Sequence, residues 1–418
     1  MALRVAINGY GRIGRNLLRA YFENGADPAL EFVAINDLGK PEALAHLTRY
    51  DSTHGRFGGQ VELDGQTLTI IPPAWGWARA ATAFGNGQHA VRPEGEGLRA
   101  LADTLLGAVA ESMGGVAAEA IPAREPGAAV HAPTPGGMPA AAGSVSGAAL
   151  ATAGRQHIRL LSEPAPEKLP WAELGIDVVL ECTGHFRSRQ EAGRHLAAGA
   201  RKVIIGAAPF DEVDAMLVYG VNHETLRDSD RILSSVSCTT NALVPLVQIL
   251  DAEFGVESGL MTEIHAVTSD QVTLDHTHRD VRRGRAAGNN IIPTTSSSIG
   301  ALRHVLPAVG AHIDGYSLRV PTQNVAAIDF SFVGRKPLTV AAINAAFARE
   351  ASGHYRHILA YCDEQLVSSD FNHSPWSLVF DATETRVVGR QAKVLAWYDN
   401  EWGYAHRLLD LCHYLARR

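Results

Sequence analysis

Ser237-Cys238-Thr239-Thr240-Asn241 and Thr262-Glu263-Ile264-His265-Ala266 place a thiol 27 residues ahead of a candidate base. That combination implies covalent chemistry at a carbonyl carbon. A free thiol titrates near about pH 8.5, so at neutral pH it needs a helix N-terminus or an imidazole to hold it as thiolate. Both aids are legible here. Thr239, Thr240 and Asn241 suit a helix start, and residues 242–254 continue with apolar side chains at helical spacing. This predicts Cys238 where the helix dipole favours negative charge. An isolated cysteine is most often a buried structural residue, but the Ser/Thr/Asn cluster around Cys238 argues for a reactive one.

A nucleophile of this kind needs elements that bring a second reactant to it, and the N-terminus supplies one. Residues 3–7 form a short apolar strand that runs into Gly9-Tyr10-Gly11-Arg12-Ile13-Gly14, which opens a helix through Leu17, Leu18 and Tyr21. Glycines at this spacing let the backbone approach a pyrophosphate. A second strand, residues 32–35, ends at Asn36-Asp37, where a ribose-binding acid belongs, 23 residues past the last glycine. A carboxylate there accepts from a 2′-hydroxyl and repels a 2′-phosphate, so Asp37 predicts NAD rather than NADP.

Further along, apolar strand candidates alternate with helical stretches up to about residue 235, the pattern of a parallel sheet. After Asn241 the strands lengthen: residues 259–267, 316–320, 326–333 and 392–398 predict an antiparallel sheet with helices on one face. The expected architecture is α/β: a Rossmann-type dinucleotide-binding domain over 1–237, then an α+β catalytic domain over 238–399 with a mainly antiparallel sheet. A C-terminal helix over 400–418 should return to the first domain. Residues 73–154 are dominated by Ala, Gly and Pro and interrupt what reads as a hairpin between residues 67–70 and 157–160. Most of that insertion is expected to be disordered, with a short helix at 98–113.

The 418 residues carry a net charge of −7 and no Lys/Arg run, which argues against a nucleic-acid partner. No window is long and apolar enough to span a membrane, and the fold begins at Leu3 with no room for a signal peptide, so the cytoplasm is the expected location. Cys182, Cys238, Cys362 and Cys412 are scattered without the spacing of a zinc site or a disulfide framework, and no metal is expected.

Residues 6–15 (Ala-Ile-Asn-Gly-Tyr-Gly-Arg-Ile-Gly-Arg), Tyr50-Asp51-Ser52-Thr53-His54-Gly55, the 237–241 motif, Arg319-Val320-Pro321-Thr322 and residues 397–404 (Trp-Tyr-Asp-Asn-Glu-Trp-Gly-Tyr) resemble the glyceraldehyde-3-phosphate dehydrogenase superfamily. The resemblance covers nearly everything except the insertion. Leu169-Pro170-Trp171-Ala172-Glu173-Leu174-Gly175, residues 280–287 and Asp370-Phe371-Asn372-His373 look more like its erythrose-4-phosphate dehydrogenase branch. The resemblance implies that Cys238 adds to an aldehyde, with His265 as base, and leaves a thioester after hydride transfer to NAD. It also implies that Ser237, Thr239, Thr268, Ser296 and Arg319 hold phosphate. Asn400, Tyr404 and Thr183-Gly184 would surround the cofactor, alongside Gly9, Gly11, Arg12, Ile13 and Gly14. A homotetramer is implied too, the 275–290 loop reaching toward a neighbouring subunit's cofactor site. The bland reading of its Arg282, Arg283 and Arg285 is a solvated basic surface.

One departure bears on the last step. Many members of the superfamily carry a Thr-Gly-Ala-Ala-Lys run that helps hold inorganic phosphate, where this chain reads Ser296-Ser297-Ser298-Ile299-Gly300. Loss of the lysine and glycine favours attack on the thioester by water, whereas Thr239 and Thr268 match phosphate ligands. Erythrose 4-phosphate oxidation is therefore the leading expectation. Phosphorylating glyceraldehyde 3-phosphate oxidation is the alternative, and a non-catalytic NAD-binding protein a distant third.

Overall fold

In β1 (Leu3–Asn8) the side chains of Val5, Ala6 and Ile7 are all buried, as a strand covered on both faces requires. β2 (Leu30–Asn36) and β3 (Val178–Glu181) flank it, both parallel to it. These strands belong to a computed structural model that describes residues 2–73 and 154–418. The helix read at 98–113 and nearly all of the low-complexity insertion lie outside the described residues.

The first sheet has nine strands, in the order Ala215–Met216, Ile232–Ser234, Lys202–Ile205, β3, β1, β2, Gln156–Leu161, Thr67–Ile71 and Gln60–Asp64. All pairs up to Gln156–Leu161 are parallel, and the last two are antiparallel. Ile70 faces Gln156, so the hairpin read on either side of the insertion is present. The ends of β1, β2 and β3 converge at the carboxyl edge of the sheet, the usual place for a dinucleotide.

The second sheet contains β4 (Val256–Ala266) and β5 (Ile313–Val320) and runs in the order Ile292–Thr294, β5, β4, Ala326–Gly334, Gln391–Tyr398, Leu378–Val388, Leu359–Cys362. It is mainly antiparallel, as the sequence predicts, with two exceptions: β4 pairs parallel with β5, and Leu359–Cys362 pairs parallel with Leu378–Val388. The chain between β4 and β5 is long enough, and carries helix enough, for a crossover connection, which parallel neighbours require.

α1 (Arg12–Glu23) follows the glycine turn, and α2 (Cys238–Phe254) packs on the second sheet. Leu243, Leu246, Val247 and Leu250 of α2 share one buried cluster with Phe330, Phe332 and Phe380. Truncating a core leucine of this kind costs about 2–5 kcal/mol, so the helix that carries Cys238 is fixed firmly by its packing. The C-terminal helix, Trp402–Ala416, buries Trp402, Tyr404, Ala405 and Leu408 in the same cluster as Leu17 and Leu18 of α1. No helix among the described residues is long and apolar enough to cross a membrane.

Candidate active site

Cys238 is the first residue of α2, and Ser237 caps the helix by accepting from Thr240 N at 3.1 Å. The Asn241 carboxamide donates to the carbonyls of Ser235 (2.9 Å) and Ser237 (3.0 Å), tying the strand-to-helix turn together. Within that turn Val236 has φ of 49°, left-handed backbone that a β-branched side chain rarely adopts. Strain of this kind costs about 1–3 kcal/mol and persists only where the surroundings impose it. Here Val236 N donates to Ser234 Oγ at 2.9 Å, and Val236 O accepts from Tyr404 OH at 3.0 Å. The turn delivers Cys238 to the wall of a cavity of about 660 Å³.

His265, on β4, faces the thiol with Nε2 3.6 Å from Sγ. Its Nδ1 lies 2.7 Å from Ala266 O and 2.7 Å from Arg319 Nη1. Nδ1–H donating to Ala266 O leaves the Nε2 lone pair free for the thiol proton, whereas Nδ1 accepting from Arg319 Nη1 puts the ring proton on Nε2; a base for the thiol requires the first tautomer. Burial, together with Arg319, holds the imidazole below its ordinary range. Burial and the Glu263 carboxylate push the thiol up to about 11. Both directions favour the neutral thiol and the neutral imidazole, the form in which His265 can act as a base. The helix N-terminus and the imidazole that favour a thiolate are both in place, and burial and Glu263 oppose them. Iodoacetamide labelling of Cys238 in the free enzyme should rise about tenfold per pH unit between pH 7 and 9, as the thiolate fraction does. It should be faster at pH 7 in Glu263→Gln. A labelling rate flat across that range would mean the thiolate is already formed.

The cavity wall also carries Ser237, Thr239, Thr268, Ser296 and Arg319, and on its cofactor side Arg12, Ile13, Asn400 and Tyr404. Two of these have buried polar atoms without a partner: Arg319 Nε, a donor suited to an anion, and Asn400 Oδ1, an acceptor suited to a carboxamide N–H. Thr239 is committed elsewhere. Its hydroxyl donates to Glu263 Oε1 at 2.8 Å and lies 2.8 Å from Tyr398 OH. Ser296 Oγ is 2.7 Å from Ser298 Oγ, and Thr268 N donates to Gln271 Oε1 at 3.3 Å. Arg12 is held between Glu401 and Asp51.

Gly9, Gly11, Gly14, Asp37, Thr183 and Gly184 lie outside that wall, at the ends of β1, β2 and β3. Gly9 has φ of +91°, and a Cβ there would sit 2.6 Å from Thr183 N. A Cβ on Gly14 would sit 2.3 Å from Gly9 O. α1 starts without a side-chain cap, which leaves first-turn N–H groups for a pyrophosphate. Asp37 Oδ2 accepts from Tyr10 N at 2.8 Å and Oδ1 from Gly39 N at 2.8 Å, so the carboxylate is fixed beside the glycine turn. Thr183 N donates to Glu181 Oε1 at 2.8 Å. These residues fit NAD. Asp37→Ala should weaken NAD binding and relax discrimination against NADP, because the ribose acceptor and the repelling charge disappear together. The ratio of kcat/KM for the two cofactors measures this, and a wild-type preference for NADP would contradict it.

Among the wall residues given no role from sequence are Glu263, Arg279 and Arg283, the last read there as solvated surface. Glu263 lies two residues before His265 on the same face of β4, a period-two signal that was available. Arg283 reaches the wall and pairs with Asp270 at 3.0 Å, and Arg279 joins it, whereas Arg282 and Arg285 are exposed as a solvated basic surface would be. Among the described residues no cluster of three or more His, Cys, Asp or Glu is placed to hold a metal ion.

Fold and cofactor cradle together define an NAD-binding protein with a cysteine and a histidine facing each other in one cavity wall. Residues 3–72 and 136–189 match the family described as "Glyceraldehyde 3-phosphate dehydrogenase, NAD binding domain", and residues 237–400 match "Glyceraldehyde 3-phosphate dehydrogenase, C-terminal domain". The chain is 41% identical over 416 residues to the plasmid glyceraldehyde-3-phosphate dehydrogenase of Cupriavidus necator, covering 100% of this chain and 99% of that protein. It is 40% identical to the chromosomal enzyme of the same organism, with the same coverage. It is 38% identical over 411 residues to the glyceraldehyde-3-phosphate dehydrogenase of Xanthobacter flavus, covering 98% and 97%. The chain belongs to the glyceraldehyde-3-phosphate dehydrogenase family.

Proposed function

We propose that this chain oxidises D-erythrose 4-phosphate to 4-phosphoerythronate, with water releasing the acyl group from Cys238. Cys238 Sγ adds to the aldehyde carbon while its proton passes through His265 Nε2 to the new hydroxyl of a hemithioacetal. NAD, cradled by the glycine turn, Asp37 and Asn400, supplies the hydride acceptor. His265 takes the hydroxyl proton back as the carbon is oxidised, and a thioester remains on Cys238. Arg319, whose Nε is buried and unpartnered, would hold the substrate phosphate, with Thr268 beside it.

The observation that carries release by water is the Glu263 carboxylate in the wall of the Cys238 cavity. It takes the one proton of Thr239, so that hydroxyl has none left for an anion, and its charge opposes phosphate. Ser296 to Gly300 add to this by supplying no lysine. Support for erythrose 4-phosphate comes from the segments that resemble that branch, of which Asp280 and Arg283 reach the cavity. A second reading, glyceraldehyde 3-phosphate with inorganic phosphate, has the names of the relatives in its favour. Steady-state kcat/KM for both sugar phosphates, with and without phosphate, separates the two. Erythrose 4-phosphate preferred and phosphate without effect is the expected result. Phosphate-dependent oxidation of glyceraldehyde 3-phosphate to an acyl phosphate would establish the second reading.

A homotetramer fits the apolar residues left exposed on β4, β5 and the adjoining loops, among them Leu260, Leu274, Val281, Ile291 and Tyr316.

A further inference from the structure

Glu263 is nearly fully buried, yet one carboxylate oxygen, Oε2, has no hydrogen-bond partner. A buried carboxylate oxygen left bare is costly unless a ligand or water completes it. The other oxygen is fixed. Oε1 accepts from Thr239 Oγ1 at 2.8 Å, and Tyr398 OH lies 2.8 Å from that same hydroxyl, so Tyr398 can donate to Thr239 and Thr239 to Glu263. Oε1 is also 3.9 Å from His265 Nε2, the nitrogen that stands 3.6 Å from Cys238 Sγ. Thiol, imidazole and carboxylate thus share one cavity wall. Oxidation of the aldehyde uses the first two and leaves the third without a task.

We infer that Glu263 is the general base of acyl release: it takes a proton from the water that attacks the Cys238 thioester. The inference rests on the hydrolytic reading above and assigns its missing residue. Water oxygen bonds to the thioester carbon as a water proton moves to the Glu263 carboxylate, giving a tetrahedral intermediate. Collapse breaks the C–S bond, the electron pair leaves on sulfur, and the proton held by Glu263 returns to the Cys238 thiolate. The product is the phosphorylated carboxylic acid, and no oxidant or reductant is consumed. The division of labour follows from position. His265 serves the thiol and the hemithioacetal, while a fixed carboxylate on the same wall serves the water. A hydroxyl chain from Tyr398 through Thr239 holds Oε1 in place.

Glu263→Gln keeps shape and removes the base. In phosphate-free buffer with NAD and erythrose 4-phosphate or glyceraldehyde 3-phosphate, the variant should release one equivalent of NADH per active site in a burst. Its steady-state rate should then fall by about 10²- to 10⁴-fold, the usual worth of a positioned base. Acyl enzyme should accumulate on Cys238, and hydroxylamine, a nucleophile that needs less assistance than water, should discharge it. A Glu263→Gln enzyme that turns over in water at the wild-type rate, or one that folds and loses the burst itself, overturns the assignment. Failure of the hydrolytic reading looks different: the wild type would itself stop after the burst until phosphate is added. Should Glu263→Gln not fold, Glu263→Asp, which keeps the charge but withdraws it by one methylene, carries the same comparison.

Discussion

Cys238→Ser should abolish NADH formation from every phosphorylated aldose while leaving NAD affinity within a few-fold. Oxygen replaces sulfur at the first position of α2, where Ser237 and Asn241 fix the turn without using the thiol. The helix and its packing survive. The nucleophile does not, because an alkoxide is far harder to reach than a thiolate and an ester is a different intermediate from a thioester. Loss of a covalent nucleophile reads as roughly 10⁴-fold or more in kcat. The cofactor arm, built from Gly9, Gly14 and Asp37 at the ends of other strands, is untouched. Fluorescence titration with NAD alongside absorbance kinetics measures both halves, and a serine variant with wild-type turnover would contradict the thiol chemistry.

His265→Asn should slow turnover by about 10²- to 10⁴-fold, since the imidazole is the base nearest the thiol. The pH profile is the sharper readout. Burial and Arg319 keep the His265 imidazole below its ordinary range, so it remains an unprotonated base into mildly acidic solution. The wild type should therefore hold its acylation rate at pH values where an ordinary histidine would already be charged. Without the imidazole, the reaction must wait for the thiolate of a thiol pushed up to about 11, and the variant's rate should climb about tenfold per pH unit below that value. A variant whose single-turnover rate is independent of pH would show that another group takes the thiol proton.

What the sequence disclosed follows the range over which each signal acts. The glycine turn, Asp37 and the helix start at Cys238 are local: each depends on residue types a few positions apart, and each is found where those types place it. The hairpin around the insertion was legible because Leu68 and Ile70 alternate against Ile158 and Leu160 with matching period. Left-handed backbone at Val236 was not, since nothing in a valine announces positive φ; a hydrogen bond donated to Ser234 Oγ and one accepted from Tyr404 OH, the latter far away in sequence, hold it. The parallel pairing of β4 with β5 depends on where the intervening chain crosses, which strand patterning does not encode. Glu263 was passed over because an isolated acid on a strand reads as surface, and only the fold buries it beside His265.

The proposed reaction requires an acyl group carried by Cys238 between oxidation and release. Wild-type enzyme mixed with NAD and erythrose 4-phosphate in phosphate-free buffer, quenched in acid within a turnover and analysed by peptide mass, tests it most directly. A 4-phosphoerythronyl adduct is expected on the Cys238 peptide, forming in step with NADH and decaying to free 4-phosphoerythronate. NADH formed with no adduct on Cys238, or with the adduct on another residue, would contradict it.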